Sequence, residues 1–158
     1  AQEEEWPAAQ QIAETIAADF PNFPQQYEVD YLLGRCFAAK AQFEQARDAY
    51  HRVTQSDVGG KTETAAMAQW MVGETYMHQK QYRTALREFL RLEILYAYPT
   101  WQGLAMLQAG KCHELLGEWT EAVDVYEHLL TDYPDTEATA EADRRLRVAR
   151  RRVEASAQ

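Results

Sequence analysis

Residues 110–134 read GKCHELLGEWTEAVDVYEHLLTDYP, and this stretch decides the fold. A glycine stands in a run of helix-forming residues, and an aromatic, a small and a second aromatic residue follow at offsets of 9, 12 and 16. The same four types of residue recur at these offsets three times in the chain. The three sets are Gly34, Phe43, Ala46 and Tyr50; Gly73, Tyr82, Ala85 and Phe89; and Gly110, Trp119, Ala122 and Tyr126. Self-similarity at such a period predicts an array of helical repeats.

The sequence predicts a single domain over residues 1–158 that is built of repeating units. Apolar residues recur three or four positions apart, which indicates helices, and Pro, Gly and Asn clusters separate them. The predicted units are a half repeat at 6–20, three repeats at 25–58, 62–99 and 101–134, and a terminal capping helix at 136–154. Residues 1–5 are expected to be a frayed lead-in, with Pro7 starting the first helix. Thr62 and Thr100 are expected N-caps.

Composition and charge exclude several classes of function. The 158 residues are 46% hydrophobic and 26% charged, as in ordinary globular proteins. No apolar run reaches the roughly 18 residues that a membrane helix needs, so we expect no direct membrane insertion. The formal net charge is −9, and only residues 144–158, with six arginines and one glutamate, are basic. We therefore expect no binding of nucleic acid. Since the chain begins at Ala1, we expect a processed form or a piece of a longer protein.

A glycine recurs at one mid-helix position of every repeat, where it costs up to about 1 kcal/mol relative to alanine. A recurring cost implies a close approach of the paired helix. We expect the small residues at offset 12, namely Ala46, Ala85 and Ala122, to supply the matching surface. Cys36 and Cys112 occupy equivalent positions two repeats apart, too distant for a disulfide, and are interpreted as small buried residues.

The repeated residues resemble the tetratricopeptide repeat, whose pattern is W-x2-L-G-x2-Y…A-x3-F…P. The motif matches are Leu33-Gly34-x2-Phe37 with Ala46-x3-Tyr50, Val72-Gly73-x2-Tyr76 with Ala85-x3-Phe89, and Ala109-Gly110-x2-His113 with Ala122-x3-Tyr126 and Pro134. The leading aromatic is replaced, by Asp30, Gln69 and Met106. The resemblance implies an all-α fold, a right-handed superhelical α-solenoid of helix-turn-helix repeats with about seven helices. It also implies a non-catalytic scaffold for protein–protein interaction.

The repeats are longer than the family norm. The glycine-to-glycine spacing is 39 and then 37 residues, against about 34 in the family. This spacing and the Phe-Pro or Tyr-Pro closures at 20–21, 98–99 and 133–134 resemble the bacterial envelope branch of the family. That branch includes the outer-membrane assembly lipoprotein of the β-barrel machinery and the periplasmic Tol-Pal coordinator. The resemblance implies a location in the periplasm or cell envelope.

In the tetratricopeptide fold the first helices of successive repeats line a concave groove. Carried onto this sequence, the peptide-binding groove comprises Tyr31, Arg35, Met67, Trp70, Glu74, Met77, His78, Leu104, Leu107, Lys111 and Leu115, with Glu28 and Glu114 beside them. Because most of these side chains are large and apolar, the stripe needs burial against another surface. We expect a peptide or helix of another protein there. A second copy of the chain, or the terminal helix curling over the groove, are the alternatives.

Charged groups within the predicted groove have a simpler interpretation than ligand binding. Arg35 and Lys111 are expected to pair with the neighbouring glutamates. The six arginines of the last helix are either a docking site for an acidic partner or, as we favour, part of a solvated capping helix. The half repeat at 6–20 favours an alternative role for the chain, as a structural or self-associating segment of a longer array.

No catalytic, cofactor or metal site is predicted. Residues 113–117 begin like the zinc-protease motif H-E-x-x-H, but the second histidine is missing. The four histidines and two cysteines show no ligand spacing. We therefore expect a protein that is not an enzyme and holds no metal or cofactor.

Overall fold

The computed structural model describes the backbone of residues 2–157 and the side chains of residues 6–157. Within these bounds the fold is all-α, as predicted, and contains eight helices where about seven were expected. They are α1 (Gln2–Asp19), α2 (Gln26–Ala39), α3 (Phe43–Thr54), α4 (Glu63–His78), α5 (Tyr82–Leu95), α6 (Pro99–Leu116), α7 (Trp119–Asp132) and α8 (Thr139–Ser156). The three repeats thus correspond to the pairs α2–α3, α4–α5 and α6–α7.

The chain divides into two compact units, Ala1–Thr75 and Tyr76–Gln158, and the boundary lies within α4. In the first unit α1 packs on α2 and α2 packs on α3. Its core joins Ala13, Val29, Leu33 and Ala49. Helix α3 contributes to the interior because its apolar residues recur at helical spacing and form one face.

The second unit holds α5 to α8, each packed on the next along the chain. Its core joins Met106, Leu107, Ala122, Tyr126, Leu129, Ala138, Ala142, Leu146 and Ala149. Helix α8 therefore belongs to the body of this unit, with three small or aliphatic residues facing inward.

The repeat glycines permit a contact between a helix and an aromatic ring. A Cβ atom added to Gly34 would overlap the ring of Tyr50, and one added to Gly110 would overlap the ring of Tyr126. Both tyrosines are fully buried. The predicted close approach is therefore present, but the nearest atoms belong to the aromatic residue at offset 16 and not to the alanine at offset 12. A flat ring can lie against a helix backbone that carries no side chain at that point.

Two details of the helix starts differ from expectation. Helix α1 begins at Gln2 and not at Trp6, and Pro7 lies inside it at the sixth position. Because proline has no N–H, the helix lacks one i→i−4 hydrogen bond there. Thr100 is not an N-cap, because α6 begins at Pro99, which takes the N1 position. Thr62 does cap α4, since its Oγ1 accepts a hydrogen bond from the Ala65 N–H at 3.3 Å.

The turn inside each repeat has the same backbone conformation. Ala41, Lys80 and Gly117 follow α2, α4 and α6 with φ values of 57°, 58° and 76°. After each, the next N–H bonds back to a carbonyl five residues earlier, for example Gln81 to Tyr76 at 2.9 Å. This is the Schellman motif, which glycine adopts without the steric cost that a Cβ imposes. Only the third repeat has glycine there.

Replacing Lys80 by glycine is expected to stabilise the protein by about 0.5–1 kcal/mol, because the left-handed conformation strains a residue with a Cβ. Urea unfolding followed by circular dichroism measures the change. Lys80→Ala is the matched control, since it removes the same charge and keeps the Cβ. Equal effects of the two substitutions would contradict the conformational origin of the gain.

Candidate functional site

Five of the predicted groove residues lie in the first unit, on α2 and α4. We call them the groove stripe: Tyr31, Arg35, Met67, Trp70 and Glu74. All are half-buried except Arg35, which is exposed. The spacing along each helix places its members on one face.

A hydrogen bond joins the two helices that carry the groove stripe. The Thr64 Oγ1 donates to Glu28 Oε1 at 2.8 Å. Glu28 precedes Tyr31 by three residues on α2, and Thr64 precedes Met67 by three on α4. Because residues three or four apart share a helix face, this bond brings the two parts of the stripe side by side. The arrangement offers a continuous half-buried surface of aromatic, thioether and charged groups.

The α2 part of the groove stripe is held by aromatic contacts. The ring of Tyr31 lies 5.9 Å from that of Tyr50 at an interplanar angle of 48°. Burial raises the pKa of the Tyr31 phenol above its usual value, so the group is a neutral donor at physiological pH. The Arg35 guanidinium lies over the Trp6 ring at 5.4 Å, a cation–π geometry. Arg35 was expected to pair with a glutamate; the aromatic face supplied by α1 takes that place.

Two of the groove residues predicted on α6 join or border the core of the second unit, and a third pairs with α8. Leu107 is only 5% exposed and belongs to the core that includes Leu146, and Leu104 packs against the same core. Lys111 Nζ lies 3.1 Å from Glu141 Oε1 on α8. Leu107 is therefore a core residue and not part of an open groove. Helix α8 packs mainly along α7 and touches α6 less, so the occupant of the rest of the predicted groove stays a prediction.

A chain of polar contacts fixes α8 over α6 and α7. The Tyr126 hydroxyl donates to Glu114 Oε1 at 2.6 Å. Arg145 donates from Nη1 to Glu114 Oε2 at 2.9 Å and from Nε to Glu141 Oε1 at 2.8 Å. The Arg145 hydrogen bond is the largest of the effects that hold the pKa of the Glu141 carboxyl below its usual value. The sequence contains the charges of both helices, but which of them pair depends on how the helices pack.

The remaining predicted residues occupy varied positions. The Cys112 thiol donates to the Met77 sulfur at 3.2 Å, which fixes the end of α4 against α6. His78 is exposed at the end of α4, and Leu115 is 52% exposed near the end of α6. Both cysteines are buried and free. These side chains do not form one cluster.

Most of the arginines on α8 have partners within their own unit. Besides Arg145, Arg147 pairs with Asp143 and Arg150 with Glu127. The Arg152 guanidinium lies over the Trp119 ring at 5.5 Å. These contacts agree with the interpretation of α8 as a solvated capping helix.

The histidines and acidic residues do not assemble a metal centre. Among the residues with described positions, no three His, Cys, Asp or Glu side chains are grouped as metal ligands. His113, the first residue of the incomplete zinc motif, places Nδ1 2.8 Å from Glu118 Oε2. No helix in the described part of the chain is long and apolar enough to cross a membrane.

Comparison with known proteins agrees with this architecture. The family model of the tetratricopeptide repeat matches residues 28–57 and 104–136, which correspond to α2–α3 and to most of α6–α7. The fold is tetratricopeptide-like. Two crystal structures of a putative kinesin light chain with nearly identical TPR-like repeats from Podosopora anserina, one of them carrying a single substitution, superpose with a TM-score of 0.74 at 14% identity. The alignments cover 96% of this chain and 78% or 79% of those.

A structure of MamA (MSR-1, C2) gives a TM-score of 0.59 at 17% identity and covers 98% of this chain and 91% of that one. No curated protein sequence matches at a significant level. At such identities the structural likeness concerns the fold alone. The family match supports the assignment to tetratricopeptide repeats, which are typically scaffolds for protein interaction.

The contacts of Glu141 predict a pH dependence of stability. Because the pKa of this carboxyl is lower in the folded than in the unfolded chain, its contribution is fully present above the ordinary value of 4.5 and is lost as the pH falls through the lower folded value. Glu141→Gln is therefore expected to destabilise the protein at neutral pH, by less than about 1 kcal/mol for such a part-exposed pair. Urea unfolding should show that the difference in unfolding free energy between wild type and Glu141→Gln shrinks as the pH falls below 4.5.

Glu137→Gln is the matched control, since that exposed carboxylate precedes α8. If the difference in unfolding free energy between wild type and Glu141→Gln stays constant down to acid pH, the role assigned to the Arg145–Glu141 contact is wrong.

Proposed function

We propose that the protein is a non-catalytic scaffold that binds a peptide or helix of another protein along the groove stripe. The supporting observation is a difference between repeats. On α2 and α4 the stripe is half-exposed, whereas on α6 the corresponding Leu107 is closed off by the core that includes α8. Tetratricopeptide repeats typically serve as interaction scaffolds.

The chemistry of the groove stripe suits recognition of a protein segment. Trp70 and Tyr31 are large, rigid side chains of the kind that carry most of the binding energy at interfaces. Met67 is flexible and polarizable, so it adapts to apolar groups of different shape. Arg35 and Glu74 supply charges of both signs at the edge. A ligand with one or two apolar anchors flanked by polar groups fits this combination.

Substituting Trp70 by alanine is expected to lower the affinity for such ligands by about 10-fold or more, since an anchor of this type contributes about 2 kcal/mol. Peptides selected on the wild-type protein by display provide the ligands, and fluorescence polarisation measures their dissociation constants. Tyr31→Ala should weaken binding in the same sense.

Two control variants keep this experiment decisive. Val58→Ala and Val148→Ala alter exposed aliphatic residues outside the groove stripe and should leave binding of these peptides unchanged. If Trp70→Ala instead unfolds the domain in a thermal melt, Trp70 is a core residue and the assignment of the stripe is wrong.

A second candidate role is a structural or self-associating segment of a longer array in a bacterial envelope protein. Ile12, on the first helix, is 61% exposed although its neighbour Ala13 is buried. An exposed isoleucine beside a buried face is what a half repeat presents when it has another surface to meet. The 39- and 37-residue spacing of the repeat glycines supports the periplasm or cell envelope as the location.

Light scattering over a wide concentration range distinguishes this role from the first. Self-association should raise the weight-average mass with concentration, and Ile12→Glu should suppress that rise because it places a charge on the contact. A constant monomer mass would exclude self-association through α1.

A further inference from the structure

The solvent-facing side of α5 carries apolar side chains that the fold leaves largely exposed. Arg87, Leu90, Arg91 and Ile94 follow one another at spacings of three, one and three residues, which places them on one face of the helix. With Leu95 they line an open pocket. Ile94 is 75% exposed and Leu95 58% exposed. We call these five residues the α5 stripe.

The equivalent positions of the other repeats are polar. Counted from the repeat glycine, Leu90 corresponds to His51 in the first repeat and to Glu127 in the third, and Ile94 corresponds to Gln55 and Thr131. The repeat fold therefore does not require apolar residues at these points. Leu90 packs partly against the core of its unit, but Ile94 projects into solvent. Exposed aliphatic residues grouped on one helix face mark a surface for another molecule.

The charges of the α5 stripe indicate which kind of molecule would bind there. Arg87 and Arg91 are exposed, and Arg87 makes a hydrogen bond of 3.4 Å to Thr84 Oγ1. Within the described side chains of residues 6–157, neither arginine forms an ion pair, in contrast to Arg83 one turn earlier, which pairs with Glu118. Arginines left without a carboxylate in a protein of net charge −9 offer complementarity to an acidic ligand.

We propose that the α5 stripe is a docking surface for an acidic amphipathic helix of a partner protein. A stripe at helical spacing, about 10 Å long from Arg87 to Ile94 at the 1.5 Å rise of a helix, matches two turns of a second helix packed along it. The partner's apolar residues cover Leu90 and Ile94, and its carboxylates meet Arg87 and Arg91. An anionic membrane is a poorer match, because its extended surface would meet the acidic body of the protein as well as the two arginines, whereas a short helix contacts the stripe alone. The α5 stripe shares no residue with the groove stripe on α2 and α4.

The test uses two fluorescein-labelled helical peptides of about 18 residues, long enough to form a helix. Both have the same leucines at helical spacing, with glutamate at the polar positions of one and lysine at those of the other. Fluorescence anisotropy should show that the protein binds the acidic peptide and not the basic one. Ile94→Glu should lower the affinity for the acidic peptide by about 10-fold or more, because it removes an aliphatic contact that the bound peptide buries. The double variant Arg87→Glu/Arg91→Glu should reverse the preference.

Thr131→Glu, at the equivalent position of α7, is the matched control and should bind as wild type. Trp70→Ala should also bind the acidic peptide as wild type does. A wrong assignment of the groove stripe and a wrong assignment of the α5 stripe therefore give different results. Circular dichroism confirms that the variants fold. Equal binding of the two peptides, or no binding, would overturn the proposal.

Two other occupants give distinct outcomes that would also overturn it. If sedimentation shows a concentration-dependent dimer that Ile94→Glu abolishes, the α5 stripe binds a second copy. If vesicles of phosphatidylcholine and phosphatidylserine bind the wild type but not Ile94→Glu, the stripe contacts lipid.

Discussion

The contact between a repeat glycine and the aromatic ring sixteen residues later is the constraint on which the rest of the structure depends. Gly34 receives Tyr50 and Gly110 receives Tyr126 at distances that leave no room for a Cβ. Each tyrosine is thereby buried completely between the two helices of its repeat. The contact fixes how closely the helices approach, and so determines which faces remain for neighbours. The cost of a glycine inside a helix, up to about 1 kcal/mol, is offset by burial of a large ring.

The same contact has different consequences in the two units because the tyrosine hydroxyl meets different neighbours. In the third repeat Tyr126 donates to Glu114, which also accepts from Arg145 of α8. In the first repeat the position of Glu114 is occupied by Ala38, and the buried Tyr50 hydroxyl has no hydrogen-bond partner in the described part of the chain. A polar group beneath α6 thus anchors a covering helix, whereas the first repeat has no such anchor.

Local features of the fold could be predicted from the sequence, and features that depend on distant segments could not. The six repeat helices followed from apolar periodicity and from the breakers between them. The cap at Thr62 followed from its residue type, but Thr100 failed as a cap because Pro99 is the stronger helix-starting residue at N1. Leu107 was assigned to the groove because nothing in its own helix reveals that α8 packs over it. The same holds for Arg35, whose partner Trp6 lies on a helix that belongs to the preceding half repeat.

A repeat protein allows packing and binding to be separated by comparing equivalent positions within one chain. Positions that hold the same kind of residue in every repeat, such as the glycine and the aromatic at offset 16, are explained in the first and third repeats by contacts between the paired helices. Positions at which one repeat departs from the others need a separate reason. Ile94 is such a position, since glutamine and threonine occupy the equivalent sites and an isoleucine that is 75% exposed adds little buried surface to the fold. Trp70 is a weaker case, because Tyr31 and Leu107 at the equivalent positions are also large, so its size alone does not distinguish packing from recognition.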